Sequence, residues 1–131
     1  MNVKKAIFLA LVAALVLKLF FFDFIIAQGQ SMEPIINNGD VLIVSRMRYG
    51  IQLPWRQPIK GSKYLIWWAA PKVGEVVVFY TPSGELAVKR CAEIINDRSF
   101  FAKGDNGLAS YDSRSYGPVP FQNIIGKVLG Y

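Results

Sequence analysis

Leu86-Ala87-Val88-Lys89-Arg90-Cys91-Ala92 reads as a β-strand of period two, with Ala87, Lys89 and Cys91 on one face and Arg90 on the other. Around it lie further short β-branched runs, over 41–45, 75–80, 86–95, 99–103 and 124–129. Asn38-Gly39-Asp40, Pro82-Ser83-Gly84, Asn96-Asp97 and Gly104-Asp105-Asn106-Gly107 punctuate them, and the middle two are placed for hairpins. This texture starts past residue 27 and predicts a mainly β fold, one antiparallel β domain over 28–131. No internal repeat, low-complexity tract or heptad pattern interrupts it.

Upstream, residues 6–22 read AIFLALVAALVLKLFFF, apolar except for Lys18, and after Asp23 the run resumes as FIIA. Seventeen helical residues rise about 25 Å and twenty-one about 31 Å, close to the thickness of a hydrocarbon core. Lys4, Lys5 and the terminal amine precede the run, and no basic residue follows Lys18 until Arg46. The positive-inside rule then predicts a cytoplasmic N-terminus, a transmembrane helix within residues 1–27 and the domain on the outer side. Lys18 lies in the outer third, where its stem can snorkel to the interface. A cleaved secretory signal peptide is the alternative, although Ile25 is too large for the small-x-small pattern ending at Ala27. Residues 49–71, YGIQLPWRQPIKGSKYLIWWAAP, mix aromatic and basic side chains. Such a mixture suits a membrane interface, and it equally suits core packing of Trp67 or Trp68.

Composition narrows the chemistry. A chain of 131 residues suffices for one soluble domain beyond the apolar N-terminus. Fifteen Lys and Arg against nine Asp and Glu give a net charge of +6, scattered along the chain, which favours anionic lipid over nucleic acid as a partner. With Cys91 as the one cysteine and no histidine, an internal disulfide and Ser-His-Asp or Cys-His catalysis are excluded. No metal and no cofactor is expected, so any nucleophile must be activated by a lysine or a carboxylate.

Gly29-Gln30-Ser31-Met32-Glu33-Pro34 puts a serine four residues beyond Ala27, within about 14 Å of the end of the apolar run. Taken by itself, Ser31 also reads as a turn or helix-cap residue. Lys89, with Ala87 and Cys91 on its face, is poised to lose solvation. Lowering a lysine pKa from about 10.4 by about two to three units costs about 3–4 kcal/mol and frees the amine to accept a serine proton. An exposed edge-strand lysine is the plainer alternative. A third motif runs from Gly104-Asp105-Asn106-Gly107 through Ser110-Tyr111-Asp112-Ser113-Arg114 to Gly117-Pro118-Val119-Pro120, with Asp112 and Arg114 able to pair. Its spacing does not match a calcium-binding EF-hand.

Together these pieces resemble the type I signal peptidases, membrane-anchored serine proteases that use a Ser-Lys dyad and remove signal peptides from exported proteins. The resemblance rests on the N-terminal anchor, SMEP at 31–34, GEVVVF at 74–79, VKR at 88–90 and GDN…S-x-DSR…G-x-VP across 104–120, in the family's order. It implies the family's mostly antiparallel β domain in a short form, without the additional β subdomain of larger members. It further implies Ser31 as nucleophile, Lys89 as general base, Ser110 as a hydroxyl orienting the lysine, and Asp112 with Arg114 as a supporting ion pair. Gly29, Met32 and Pro34 would shape the turn carrying Ser31, and Gly104, Asp105 and Asn106 a structural loop. Some members place an oxyanion-hole serine where this chain has Gly29, which leaves the Ser31 N–H as chief donor. Gly107 replaces a frequent arginine, and Asn96-Asp97 a longer Pro-Gly-Asp turn.

The implied activity is that of signal peptidase I, an endopeptidase acting on precursor proteins that carry signal peptides at the outer face of the plasma membrane. Membrane lipid would be its other partner. The alternatives are a non-catalytic membrane-tethered β module that binds a partner, a dedicated peptidase of the conjugative-pilin type, and a soluble self-cleaving repressor-type protease. The last should carry a DNA-binding domain and its own cleavage site, and neither is apparent.

Overall fold

Val76-Val77-Val78-Phe79 is apolar without a break, the pattern of a strand covered on both faces. In the computed structural model, which describes residues 1–53 and 64–131, it forms the middle strand of the main sheet. In chain order the elements are α1 (Val3–Phe20), β1 (Phe22–Ile26), β2 (Val41–Ser45), β3 (Gly50–Gln52), β4 (Tyr64–Trp67), β5 (Val76–Tyr80), β6 (Leu86–Ile94), β7 (Ser99–Lys103), α2 (Ser113–Tyr116), β8 (Val119–Pro120) and β9 (Ile124–Val128). Seven strands are ordered β1-β2-β9-β5-β6-β7-β8, every neighbouring pair antiparallel, and β3 and β4 form a separate ribbon.

Alternation along β5 divides the interior in two. Val76 and Val78 pack with Met32, Ile36, Leu42, Val44 and Val128 on one face. Val77 and Phe79 pack with Tyr49, Cys91, Phe100 and Ile124 on the other. Each such side chain removed from water contributes about 1.5–3 kcal/mol, so the middle of β5 is the best-anchored part of the domain. The β5–β6 hairpin closes at Pro82-Ser83-Gly84 as expected: Thr81 N–H donates to the Glu85 carbonyl at 2.8 Å, and Gly84 adopts φ +93°, where glycine is favoured. The five strands read from the sequence occur with ends shifted by no more than one residue.

The N-terminal expectation changes. Asn2 caps a helix that stops at Phe20, and no helix among the described residues is long and apolar enough to cross a membrane. The eighteen residues of α1 include Lys4, Lys5 and Lys18 and span about 27 Å. The apolar run expected to continue to residue 27 divides instead, and 22–26 joins the sheet through Phe24↔Ile43 and Ile26↔Val41. Asp23 lies at this break, 3.9 Å from Lys18 and 3.5 Å from Arg46, while Arg46 N–H donates to the Phe21 carbonyl. Pairing with β2 satisfies the backbone of β-branched residues that favour extended structure. Phe22, Phe24, Ile26, Val41 and Ile43 stay exposed on one face of this ribbon.

The two adjacent tryptophans differ in packing. Trp67 stacks on Tyr49 and Phe121, with its edge contact to Tyr64 at 4.5 Å between centroids, whereas Trp68 is half exposed. The remainder of the aromatic and basic stretch, residues 54–63, lies outside the described residues.

Strand β9 passes between β2 and β5 with Gly126 opposite Val78. A Cβ there would meet the Ser45 carbonyl oxygen and lie 2.8 Å from Val44 Cγ1. Gly126→Ala should therefore lower stability by about 1–3 kcal/mol, read as a reduced denaturation midpoint; an unchanged midpoint would contradict this packing.

Candidate active site

β6 is paired with β7 only from Arg90 onward, because Arg90 lies opposite Lys103, the last residue of β7. The stretch 86–89 therefore has one edge without a strand beside it, and the chain from Gly104 turns away to form other contacts. Lys89 is 7% exposed, and its Nζ donates to Ser31 Oγ at 2.6 Å. Burial pushes the Lys89 pKa below its ordinary 10.5, opposed by the negative charge of Asp112.

Ser31 sits in a loop closed at its neck by Ala27 N–H to the Asp40 carbonyl and Gly39 N–H to the Ala27 carbonyl, each 2.8 Å. Met32 and Ile36 plug this loop into the first core. Gly29 has φ +83°, and its N–H donates to Asn38 Oδ1 at 2.9 Å. A serine at that position would carry backbone strain, which accounts physically for the glycine. Pro34 follows a cis peptide in the same turn.

The Gly104 loop grips the Ser31 loop from the other side. Asn106 donates its N–H to the Ser31 carbonyl at 2.9 Å and its Nδ2 to the Gln30 carbonyl at 3.1 Å. Asp105 N–H approaches Met32 Sδ at 3.5 Å, and the Asp105 carboxylate takes two hydrogen bonds from Arg90, Nε at 2.8 Å and Nη2 at 2.7 Å. Arg90 also donates to the Gly74 carbonyl at 2.7 Å. Consecutive residues of β6 thus serve different ends: Lys89 meets Ser31, and Arg90 fixes the loop that holds Ser31. Gly104 cannot carry a side chain, since a Cβ would collide with Ser110 Oγ and lie 2.6 Å from the Ser31 carbonyl oxygen.

Asp112 is fully buried and caps α2. Burial alone would raise its pKa. Hydrogen bonds from the Arg114 guanidinium, from Gly104 N–H, from the Ser110 hydroxyl and from Arg114 N–H outweigh that and hold its carboxyl well below the usual range. The Ser110 hydroxyl, for which the resemblance implies a role in orienting Lys89, donates to Asp112 Oδ2 at 2.8 Å. The Asp112–Arg114 pair forms as its spacing allowed, with 2.9 Å between Oδ2 and Nη2.

Two contacts were missed in the sequence. Asn38 reads only as a turn residue, and Arg90–Asp105 becomes visible only when VKR and GDN are set side by side as a charge pair. Among the described residues no cluster of His, Cys, Asp or Glu could hold a metal. Gly29, Ser31, Lys89 and Tyr111 are among the residues lining a cleft of about 420 Å³.

A serine and a buried lysine in hydrogen-bond contact, both lining a cleft, can support acyl transfer. The family "Signal peptidase, peptidase S26" matches residues 1–98 and 87–130. This chain belongs to that signal peptidase family. Relatives agree: it is 26% identical to signal peptidase I of Bacillus caldolyticus over 92% of this chain and 85% of that protein. It is 33% identical to mitochondrial inner membrane protease subunit 1 of Xenopus tropicalis, over 81% of this chain and 66% of that protein, and 29% identical to the Mus musculus protein of the same name over 80% and 66%. Family membership makes the chain a peptidase of the signal peptidase kind.

The depressed pKa of Asp112 has a consequence for stability. A carboxylate whose folded pKa lies below its unfolded value, about 3.9, stabilises the fold fully above that value and loses its contribution progressively as pH falls from there through the lower folded value. Asp112→Asn should cost about 1–3 kcal/mol at neutral pH and reduce the difference in urea midpoint between pH 6 and pH 3. An acid sensitivity identical to that of the parent protein would remove Asp112 from this role.

Proposed function

We propose that this chain is a signal peptidase I, a membrane-anchored serine endopeptidase in which Ser31 is the nucleophile and Lys89 the general base. The observation that carries this reading is the 2.6 Å contact between Lys89 Nζ and Ser31 Oγ, in a chain without histidine. In the neutral form favoured by burial, the Lys89 amine takes the Ser31 proton as Oγ attacks the carbonyl carbon of the scissile bond. The resulting ammonium returns the proton to the departing amine. A water then attacks the acyl ester, giving its proton to Lys89, and the Ser31 oxygen leaves with that proton.

The Ser31 N–H donates no hydrogen bond within the protein among the described residues. It is therefore free for the developing oxyanion, where one donor is worth about 3–4 kcal/mol. Asn106, holding the Ser31 and Gln30 carbonyls, keeps this stretch in place. The strand-free edge of β6 over 86–89 offers backbone groups to an extended peptide, so a precursor can add as a strand next to the dyad. Small side chains at the cut suit a cleft wall of Ala27, Gly29, Ala87 and Ala109.

The membrane part of the reading rests on α1 and on the ribbon of β1 and β2. The helix presents Ala6 to Leu17 between Lys5 and Lys18, and Lys18 snorkels toward Asp23 at the outer interface. Lys4 and Lys5 hold the N-terminus on the cytoplasmic side. Phe22, Phe24 and Ile26 then meet the interface, which keeps Ser31 near the lipid surface, where the precursor's own apolar segment confines the substrate.

Ser31→Ala and Lys89→Ala should each lower kcat on a signal-bearing precursor by about 10³-fold or more while the chain remains folded; processing at the parental rate would leave only a tethered β domain. Acylation should rise with pH through the Lys89 pKa, below 10.5. Because the Asp112 charge favours the ammonium, Asp112→Asn should move that rise to lower pH; a flat profile from about pH 6 to 10 would contradict a lysine base.

A further inference from the structure

The cleft that holds Ser31 and Lys89 is lined by Glu85 and by β6 from Leu86 to Lys89, and also by residues 25–29. Its lining is otherwise neutral: Lys89, Tyr111 and Glu85 alone carry ionisable groups. Glu85 is exposed and forms no ion pair among the described residues. Asp23, Glu75, Asp105 and Asp112 each face a cationic side chain, and of the acids that form no ion pair among the described residues, Glu85 alone lines the cleft. Nor is the Glu85 position loose. Its N–H donates to Thr81 Oγ1 at 3.0 Å and its carbonyl accepts from Thr81 N–H at 2.8 Å, which fixes it at the entry to β6.

We propose that Glu85 determines specificity, its carboxylate selecting precursors that carry a lysine or arginine about four residues before the bond that is cut. The inference rests on the reading of Ser31 and Lys89 as the dyad. Glu85 precedes Lys89 by four residues of extended chain, about 13 Å, and an extended substrate beside β6 covers the same distance in four residues. Ile25 lines the same cleft and leads back through β1 to α1, the side from which a membrane-held precursor segment would arrive on the proposed reading. Residues bound there precede the cut. In a chain of net charge +6, an unpaired carboxylate at this place favours a cation locally against the field of the whole molecule.

The test uses the purified full chain in neutral detergent with peptides identical except for lysine, norleucine or glutamate four residues before the cut. The parent protein should cleave the lysine peptide with about five-fold higher kcat/KM than the norleucine peptide. The difference should lie in KM and shrink in about 0.5 M salt. Glu85→Gln should erase the preference and Glu85→Lys should turn it toward glutamate, with the norleucine peptide cleaved at the parental rate by both. Equal cleavage of lysine and norleucine peptides by the parent, or a preference that survives Glu85→Gln, overturns the proposal. So does a uniform loss on all peptides in Glu85→Gln, which would assign Glu85 to the hairpin alone. If the parent cleaves none of them, the dyad reading itself falls, an outcome distinct from cleavage without charge preference.

Discussion

Taking a lysine amine out of water is the constraint on which this structure depends. Each unit of lowered pKa corresponds to about 1.4 kcal/mol of lost preference for the charged form, and that cost must be met by packing elsewhere. The Val-Val-Val-Phe run of β5, buried on both faces, supplies the surrounding stability. The end of β7 at Lys103 leaves Lys89 without a strand on that edge, its other edge being paired with Val77 of β5, so the Ser31 loop can approach. A longer β7 would fill that edge with backbone.

The charges around the pair are sorted by what each must do. Arg90 remains a cation, its bidentate contact with Asp105 favouring the charged form, and it ties the sheet to the loop that grips Ser31. Asp112 remains an anion because Arg114, Ser110 and Gly104 all donate to it. Its field opposes deprotonation of Lys89, so burial and Asp112 pull the amine in opposite directions, burial the more strongly. A group set between opposed influences is sensitive to small changes in either.

Much of this was legible in the sequence, for identifiable reasons. β2 and β7 matched to the residue because β-branched and aromatic runs with clear turn signals leave little choice. Ser31, between a glycine and a proline, and Lys89, which strand alternation puts among small apolar residues, drew attention only in combination with the motif from Gly104 onward. β1 was hidden because Phe, Ile and Leu in a row look alike in a helix and in a covered strand, and only the tertiary pairing with β2 decides. β3, β4 and the four-residue α2 are too short for a periodic signal. The direction of the Ser110 hydroxyl was illegible, since it follows from the several donors that meet at Asp112.

Fifty-eight residues separate Ser31 from Lys89, and seventy-six separate Gln30 from Asn106. No local fragment of the chain contains both the serine and the lysine, or the loop and its clasp. On the proposed dyad reading a growing or half-folded polypeptide would be inert, and hydrolytic capacity would arise only once distant segments close over one another.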